Sequence, residues 1–133
     1  MSSRTFLTSF TFFKDSKELS IIKGATPANK KERGVIPANM RDGCFLVEGL
    51  GNPDFLHSSS HGAGRIMSRK KAREKFTLNE FKKSMKGITG TISQEVIDEI
   101  PMAYKDINKV MDAQKESVKI IKHLIPIINW KGK

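Results

Sequence analysis

The 133-residue chain has the length of one domain, and a fold of that size buries about two-thirds of the surface its unfolded chain exposes. Hydrophobic residues at 38%, charged residues at 29%, ten glycines and five prolines exclude a disordered or collagen-like chain. Lys and Arg outnumber Asp and Glu by 24 to 14, for a net charge of +10, so an anionic partner is expected: nucleic acid, nucleotide or membrane surface.

In chain order, the first thirteen residues hold four phenylalanines and no acidic group. Ser3, Thr5, Thr8, Ser9 and Thr11 interrupt them, so no continuous apolar region suits a secretory signal, and a cytoplasmic location is expected. Residues 19–22 form a short β-type run. Val35-Ile36 and Phe45-Leu46-Val47 are further strand candidates, separated by a turn-rich loop over residues 37–43. Cys44, the sole cysteine, excludes an internal disulfide and a cysteine-rich zinc site, and fits a reducing compartment. Residues 49–53 are another turn cluster. Thr77, with Glu80 three residues on, predicts a capping box opening a helix over residues 78–85. Residues 87–93 read as a loop. Asp106 predicts the cap of a helix from Ile107 to about Val118, with Val110, Met111 and Gln114 on one face. Residues 120–130, with five isoleucines and Pro126, predict a closing strand. The longest apolar stretch, residues 124–130, is seven residues long and cannot span a membrane. Strands early and helices in the later half, with no regular alternation, give an α+β class.

Charge is concentrated in residues 61–86, which carry nine basic and two acidic side chains. The segment from Ser58 to Arg65 lacks helical periodicity and places Gly62 and Gly64 two apart. It runs into Ile66-Met67-Ser68-Arg69-Lys70-Lys71-Ala72-Arg73-Glu74-Lys75-Phe76, which has helical spacing. A Gly-rich turn opening a basic helix can bind phosphate, through main-chain N–H groups and the helix dipole. An ordinary tight turn with a packed His61, followed by a solvated basic face, has the same pattern.

The inventory for other chemistry is short. His57, His61 and His123 are the only histidines. His123, in a strand-like apolar run, reads as a structural imidazole. No Cys/His cluster, zincin spacing or paired-carboxylate motif supplies a metal site, and no G-x-S-x-G elbow supports Ser58, Ser59 or Ser60 as a hydrolase nucleophile.

Five ordered segments carry a resemblance: Lys23-Gly24-Ala25-Thr26-Pro27-Ala28; Val35-Ile36-Pro37-Ala38-Asn39-Met40; Ser60-His61-Gly62-Ala63-Gly64-Arg65-Ile66-Met67-Ser68-Arg69; Asp98-Glu99-Ile100-Pro101-Met102-Ala103-Tyr104-Lys105; and Trp130-Lys131-Gly132. Over residues 22–132 the chain resembles the carboxy-terminal part of the RtcB family of RNA ligases. Residues 1–22 stand as a divergent leader and residues 23–133 as part of a larger RtcB-type fold.

The resemblance implies joining of RNA 2′,3′-cyclic phosphate or 3′-phosphate ends to 5′-hydroxyl ends, with GTP and manganese as cofactors. It implies that His61 is the nucleophile that takes GMP as a phosphoramidate. Gly62, Ala63 and Gly64 then allow close approach of the nucleotide, and Arg65 neutralises phosphate charge. Pro37, Ala38, Asn39, Met40 and Cys44 match segments lining the guanine nucleotide pocket, and Tyr104 and Lys131 match contacts to the base. Arg69, Lys70, Lys71 and Arg73 are expected beside the RNA backbone on the strength of their charge. Where many relatives read Gly-Ser-Met-Gly with a serine further on, this chain has Ala38-Asn39-Met40-Arg41 and Cys44. Ile21-Ile22 replaces the usual His-Arg, and residues 1–22 contain no His or Cys. The family's upstream manganese ligands are therefore missing, and the chain is expected to be a fragment served by a separately encoded amino-terminal portion. The alternative is a catalytically inactive remnant that binds GTP or RNA.

Overall fold

The structure is a computed structural model that describes residues 24–130. The expected run at 19–22 and Lys131 lie outside the described residues. The class is α+β.

β1 (Ala25–Pro27) pairs antiparallel with β4 (Ser58–Ser60). β2 (Arg33–Pro37) and β3 (Cys44–Gly49) form a hairpin in register Ile36↔Phe45 and Pro37↔Cys44. Strand alternation turns Ile36, Phe45 and Val47 inward. Asn39 shapes the hairpin loop: its Oδ1 accepts from the backbone N–H of Arg41 and Asp42, each at 2.9 Å, while its Nδ2 donates to Asp42 at 2.8 Å. β6 (Val118–Leu124) pairs antiparallel with the other side of β3. Ile121 is the extra residue of a bulge between the pairs Leu46↔Lys122 and Val47↔Ile120.

One core lies between this sheet and α3 (Ile107–Ala113), built from Ile36, Phe45, Val47, Ile107, Met111 and Val118. A second, around Phe81, Met85, Ile97 and Ile100, lies beneath α1 (Arg69–Lys75) and α2 (Leu78–Ser84). The capping box stands as the sequence predicts: the Thr77 side chain accepts from Glu80 N–H, and the Glu80 carboxylate accepts from Thr77 N–H at 2.8 Å.

Four expectations are corrected. The basic helix begins at Arg69, because the Ser68 side chain caps it by accepting from Lys71 N–H at 3.1 Å. α3 ends at Ala113, well before Val118, because Gln114 turns its amide to Ser60 and the β-branched run that follows pairs with β3. The closing strand is two strands: β6 stops at Leu124, and β7 (Ile128–Asn129) resumes beyond Pro126, which has no backbone donor. Within the expected loop at 87–93, β5 (Thr89–Gly90) pairs parallel with β7.

Candidate active site

His61 follows β4 directly, and the β1–β4 ladder sets Gly24 against it. The backbone N–H of His61 donates to the Gly24 carbonyl at 3.2 Å, and Nδ1 lies 2.8 Å from the same oxygen. A carbonyl only accepts, so the neutral ring carries its proton on Nδ1 and its lone pair on Nε2. The imidazole is exposed.

The next residues are fastened to the β2–β3 loop. Ala63 N–H donates to the Pro37 carbonyl at 3.0 Å, and Ala63 is buried in the sheet core. A Cβ on Gly62 would sit 3.2 Å from that same oxygen, closer than ordinary contact. Gly64, at φ +74°, occupies the left-handed region that glycine enters freely. Its carbonyl accepts from Lys105 N–H at 3.0 Å, and Arg65 bridges to Tyr104.

These contacts shape a cleft of about 720 Å³. Residues 37–40, Cys44, residues 61–65 and Tyr104 all line it. Every residue that the resemblance assigns to the nucleotide therefore meets in one place, save Lys131, outside the described residues. Asn39 turns its polar atoms into the loop's own hydrogen bonds and so shapes the wall. The cleft also takes Leu124, Ile125 and Asn129, which sequence reasoning missed. Asn129 Nδ2 donates to the Met40 carbonyl at 3.3 Å, a contact 89 residues apart with no local signal.

Arg65 is held from several sides. Its guanidinium donates to the carbonyls of Met67 at 3.1 Å and Asp98 at 2.6 Å, and to the Tyr104 hydroxyl at 3.2 Å. Its terminal carbon lies 4.9 Å from the Tyr104 ring centroid, a cation–π distance. The Tyr104 hydroxyl donates to Glu99 at 2.6 Å. Burial and then this bond to a carboxylate push the phenol up to about 12, so it is protonated at neutral pH. A cation and a hydroxyl are thereby held fixed on the cleft wall.

The Gly-rich loop does not open onto the basic helix. Residues 65–68 intervene and bind across to the 101–105 segment, with Ile66 N–H donating to the Ala103 carbonyl at 3.0 Å. The four basic residues expected beside RNA divide into two kinds. Arg73 donates to the buried Asp98 carboxylate at 2.6 Å, and Arg69 reaches the same group at 3.3 Å. Lys70 and Lys71 are exposed. Asp98 and Glu99, which anchor both arginines and Tyr104, entered the sequence reading only within a matching segment; the arginines lie too far along the chain for spacing to reveal them, and Tyr104, five residues from Glu99, fits neither the helical nor the strand period.

His57 and His123 stand apart from the cleft wall. His57 has a left-handed backbone, at φ +52°, in an exposed turn. His123 stacks on Phe45 with centroids 4.1 Å apart and an interplanar angle of 7°, and bonds to the Asp42 carbonyl. It is structural by contact, yet it lies on an exposed strand. Among the described residues no group of three or more His, Cys, Asp or Glu side chains could hold a metal ion, so these residues do not fit a manganese site. Among them, too, no helix is long and apolar enough to cross a membrane.

Residues 11–132 match the family model described as tRNA-splicing ligase RtcB, so the match begins within the segment read as a divergent leader. The RNA-splicing ligase RtcB of Escherichia coli strain K12 is 44% identical over 110 residues, covering 83% of this chain and 27% of that protein. The tRNA-splicing ligase RtcB of Nanoarchaeum equitans is 31% identical over 144 residues, covering 89% of this chain and 30% of that protein. For RNA-splicing ligase RtcB of Mycobacterium tuberculosis strain H37Rv the identity is 33% over 105 residues, with 74% and 24% covered. The chain thus spans less than a third of the length of these relatives.

Proposed function

The chain belongs to the RtcB family, and from that premise we propose that it is the guanylylation portion of a GTP-dependent RNA ligase. One observation carries the reading. His61, with Nδ1 bonded to Gly24 and a free lone pair on Nε2, stands on a cleft whose walls are residues 37–40, residues 61–65 and Tyr104. An unprotonated imidazole nitrogen is a competent nucleophile toward phosphorus.

In this reading Nε2 of His61 attacks the α-phosphorus of GTP. The new P–N bond forms as the bond to the bridging oxygen of the β-phosphate breaks, and pyrophosphate leaves. The Gly24 carbonyl favours the charged ring by accepting from Nδ1. Arg65, pinned by its carbonyl and Tyr104 contacts, offers fixed positive charge without reorganisation. An oxygen of an RNA 3′-phosphate then attacks the same phosphorus, the P–N bond breaks, and His61 is regenerated. The 5′-hydroxyl of the second RNA end attacks the activated 3′-phosphate, and GMP departs with the bridging oxygen. A 2′,3′-cyclic end requires opening to the 3′-phosphate beforehand.

The described residues offer no donor set for manganese, so in this reading the metal would be held by the remainder of the RtcB fold, which the relatives carry beyond the stretch this chain matches. The isolated chain is accordingly expected to give no sealed product from 3′-phosphate and 5′-hydroxyl RNA with GTP and Mn²⁺.

The test supplies the remainder of the fold by co-expression with the amino-terminal part of the E. coli relative, then adds radiolabelled GTP and Mn²⁺. Label should appear on this chain, acid-labile and alkali-stable as a phosphoramidate is. His61→Ala should abolish it, and His57→Ala and His123→Ala should not. Label surviving His61→Ala refutes the nucleophile. A reconstituted wild type that takes no label favours the second reading, an inactive remnant that binds GTP or RNA.

A further inference from the structure

Among the described residues eleven large hydrophobic side chains are exposed, and seven of them fall within residues 120–130. A monomer scatters such residues singly; a contiguous run marks an interface. Ile127 is 78% exposed and Trp130 79%. The run starts on β6, which pairs with β3 on one side and stands at the edge of its sheet. That edge presents backbone donors and acceptors to an incoming strand. Leu124 and Ile125, in the middle of the run, also form part of the cleft wall beside His61. The apolar surface is therefore continuous with the candidate site.

We propose that the open edge of β6, with the apolar run through Trp130, is the docking surface for the amino-terminal portion of an RtcB polypeptide. That portion adds a strand to β6 and closes the cleft along Leu124 and Ile125. The inference rests on the fragment reading above, and it names where the two portions meet. Two observations choose this occupant. The relatives carry more than two-thirds of their length beyond what this chain matches, enough polypeptide to cover the surface. A second copy is the poorer fit, since each chain carries +10 and Lys119 and Lys122 punctuate the edge with positive charge. Backbone pairing supplies affinity and the alternate apolar side chains supply register, as in other strand additions.

Trp130 is the only tryptophan, so a fluorotryptophan placed there reports on the surface alone. The full chain by itself should be monomeric by light scattering, with Trp130 open to iodide quenching. Addition of the amino-terminal part of the E. coli relative should shift the fluorine resonance and slow hydrogen exchange of the β6 amides. Ile127→Glu should weaken the complex by about tenfold or more, whereas Leu56→Glu, at an exposed position outside this run, should leave it unchanged. A lone-chain dimer broken by Ile127→Glu overturns the proposal in favour of a second copy. Shielding of Trp130 in the lone monomer overturns it in favour of this chain's own segment. Equal binding by both variants, or no complex at all, also overturns it. Because exchange is read on the wild type, misfolding of a variant does not decide the outcome. A complex that depends on Ile127 but takes no GTP label leaves this surface standing and sinks the ligase reading; a labelled complex indifferent to Ile127→Glu does the reverse.

Discussion

Arg73 and Asp98 meet at 2.6 Å across the junction between α1 and the segment ahead of Tyr104, and Asp98 is 2% exposed. The pair ties the basic helix to the wall of the cleft, because the Asp98 carbonyl also accepts from Arg65. Asp98→Asn keeps the shape and removes the charge facing Arg69 and Arg73. Both arginines are partly solvated, which reduces the penalty. A loss of about 1–2 kcal/mol is expected in urea unfolding, with little change in slope. A midpoint equal to wild type would show the pair to be energetically idle.

The same pair bears on RNA. Arg69 and Arg73 are engaged with acidic partners, while Lys70 and Lys71 are exposed. In fluorescence anisotropy at two salt concentrations, Lys70→Ala with Lys71→Ala should weaken RNA binding and flatten its salt dependence by about one to two counterions. Arg69→Ala with Arg73→Ala should lower stability more than affinity. The opposite ranking would mean that the arginines leave Asp98 when RNA binds.

Tyr104 is the only tyrosine, so its ionisation can be followed in the ultraviolet without interference. The folded protein should titrate near the raised value of about 12, and the urea-unfolded chain about two units lower. The raised value means that the folded state holds this proton more tightly. Its contribution to stability is therefore complete below about pH 10 and is lost as pH rises toward about 12. Glu99→Gln removes the charged acceptor and should move the folded titration downward. A folded titration near 10 would contradict the buried hydroxyl–carboxylate contact.

Thr77→Ala removes the acceptor for Glu80 N–H at the head of α2. The expected cost is about 1 kcal/mol, or roughly 4 °C in melting temperature for a chain of this size. Glu80→Gln, which can still reach back to Thr77 N–H, should cost less. Equal losses would place the effect in charge instead of capping.

The sequence by itself determined what is local. Thr77 and Glu80 share one helical turn, so their capping box was legible from spacing; Val35-Ile36 and Phe45-Leu46-Val47 flank a turn-rich loop, so two strands were legible, while which of these apolar residues turn inward was not. The cleft residues were legible in a different way, through segments resembling a family, since Pro37, His61 and Tyr104 are scattered along the chain and no period connects them. Tertiary structure alone decided the rest. Whether α3 continued past Ala113 depended on Gln114 finding Ser60, 54 residues away, and on Val118 finding Gly49 across the sheet. Whether the arginines of α1 faced solvent or Asp98 depended on a partner 25 or more residues distant. Helical and strand periods encode which face of an element is apolar; they carry no information about which distant polar group that element will meet, because that choice is made by packing two cores at once.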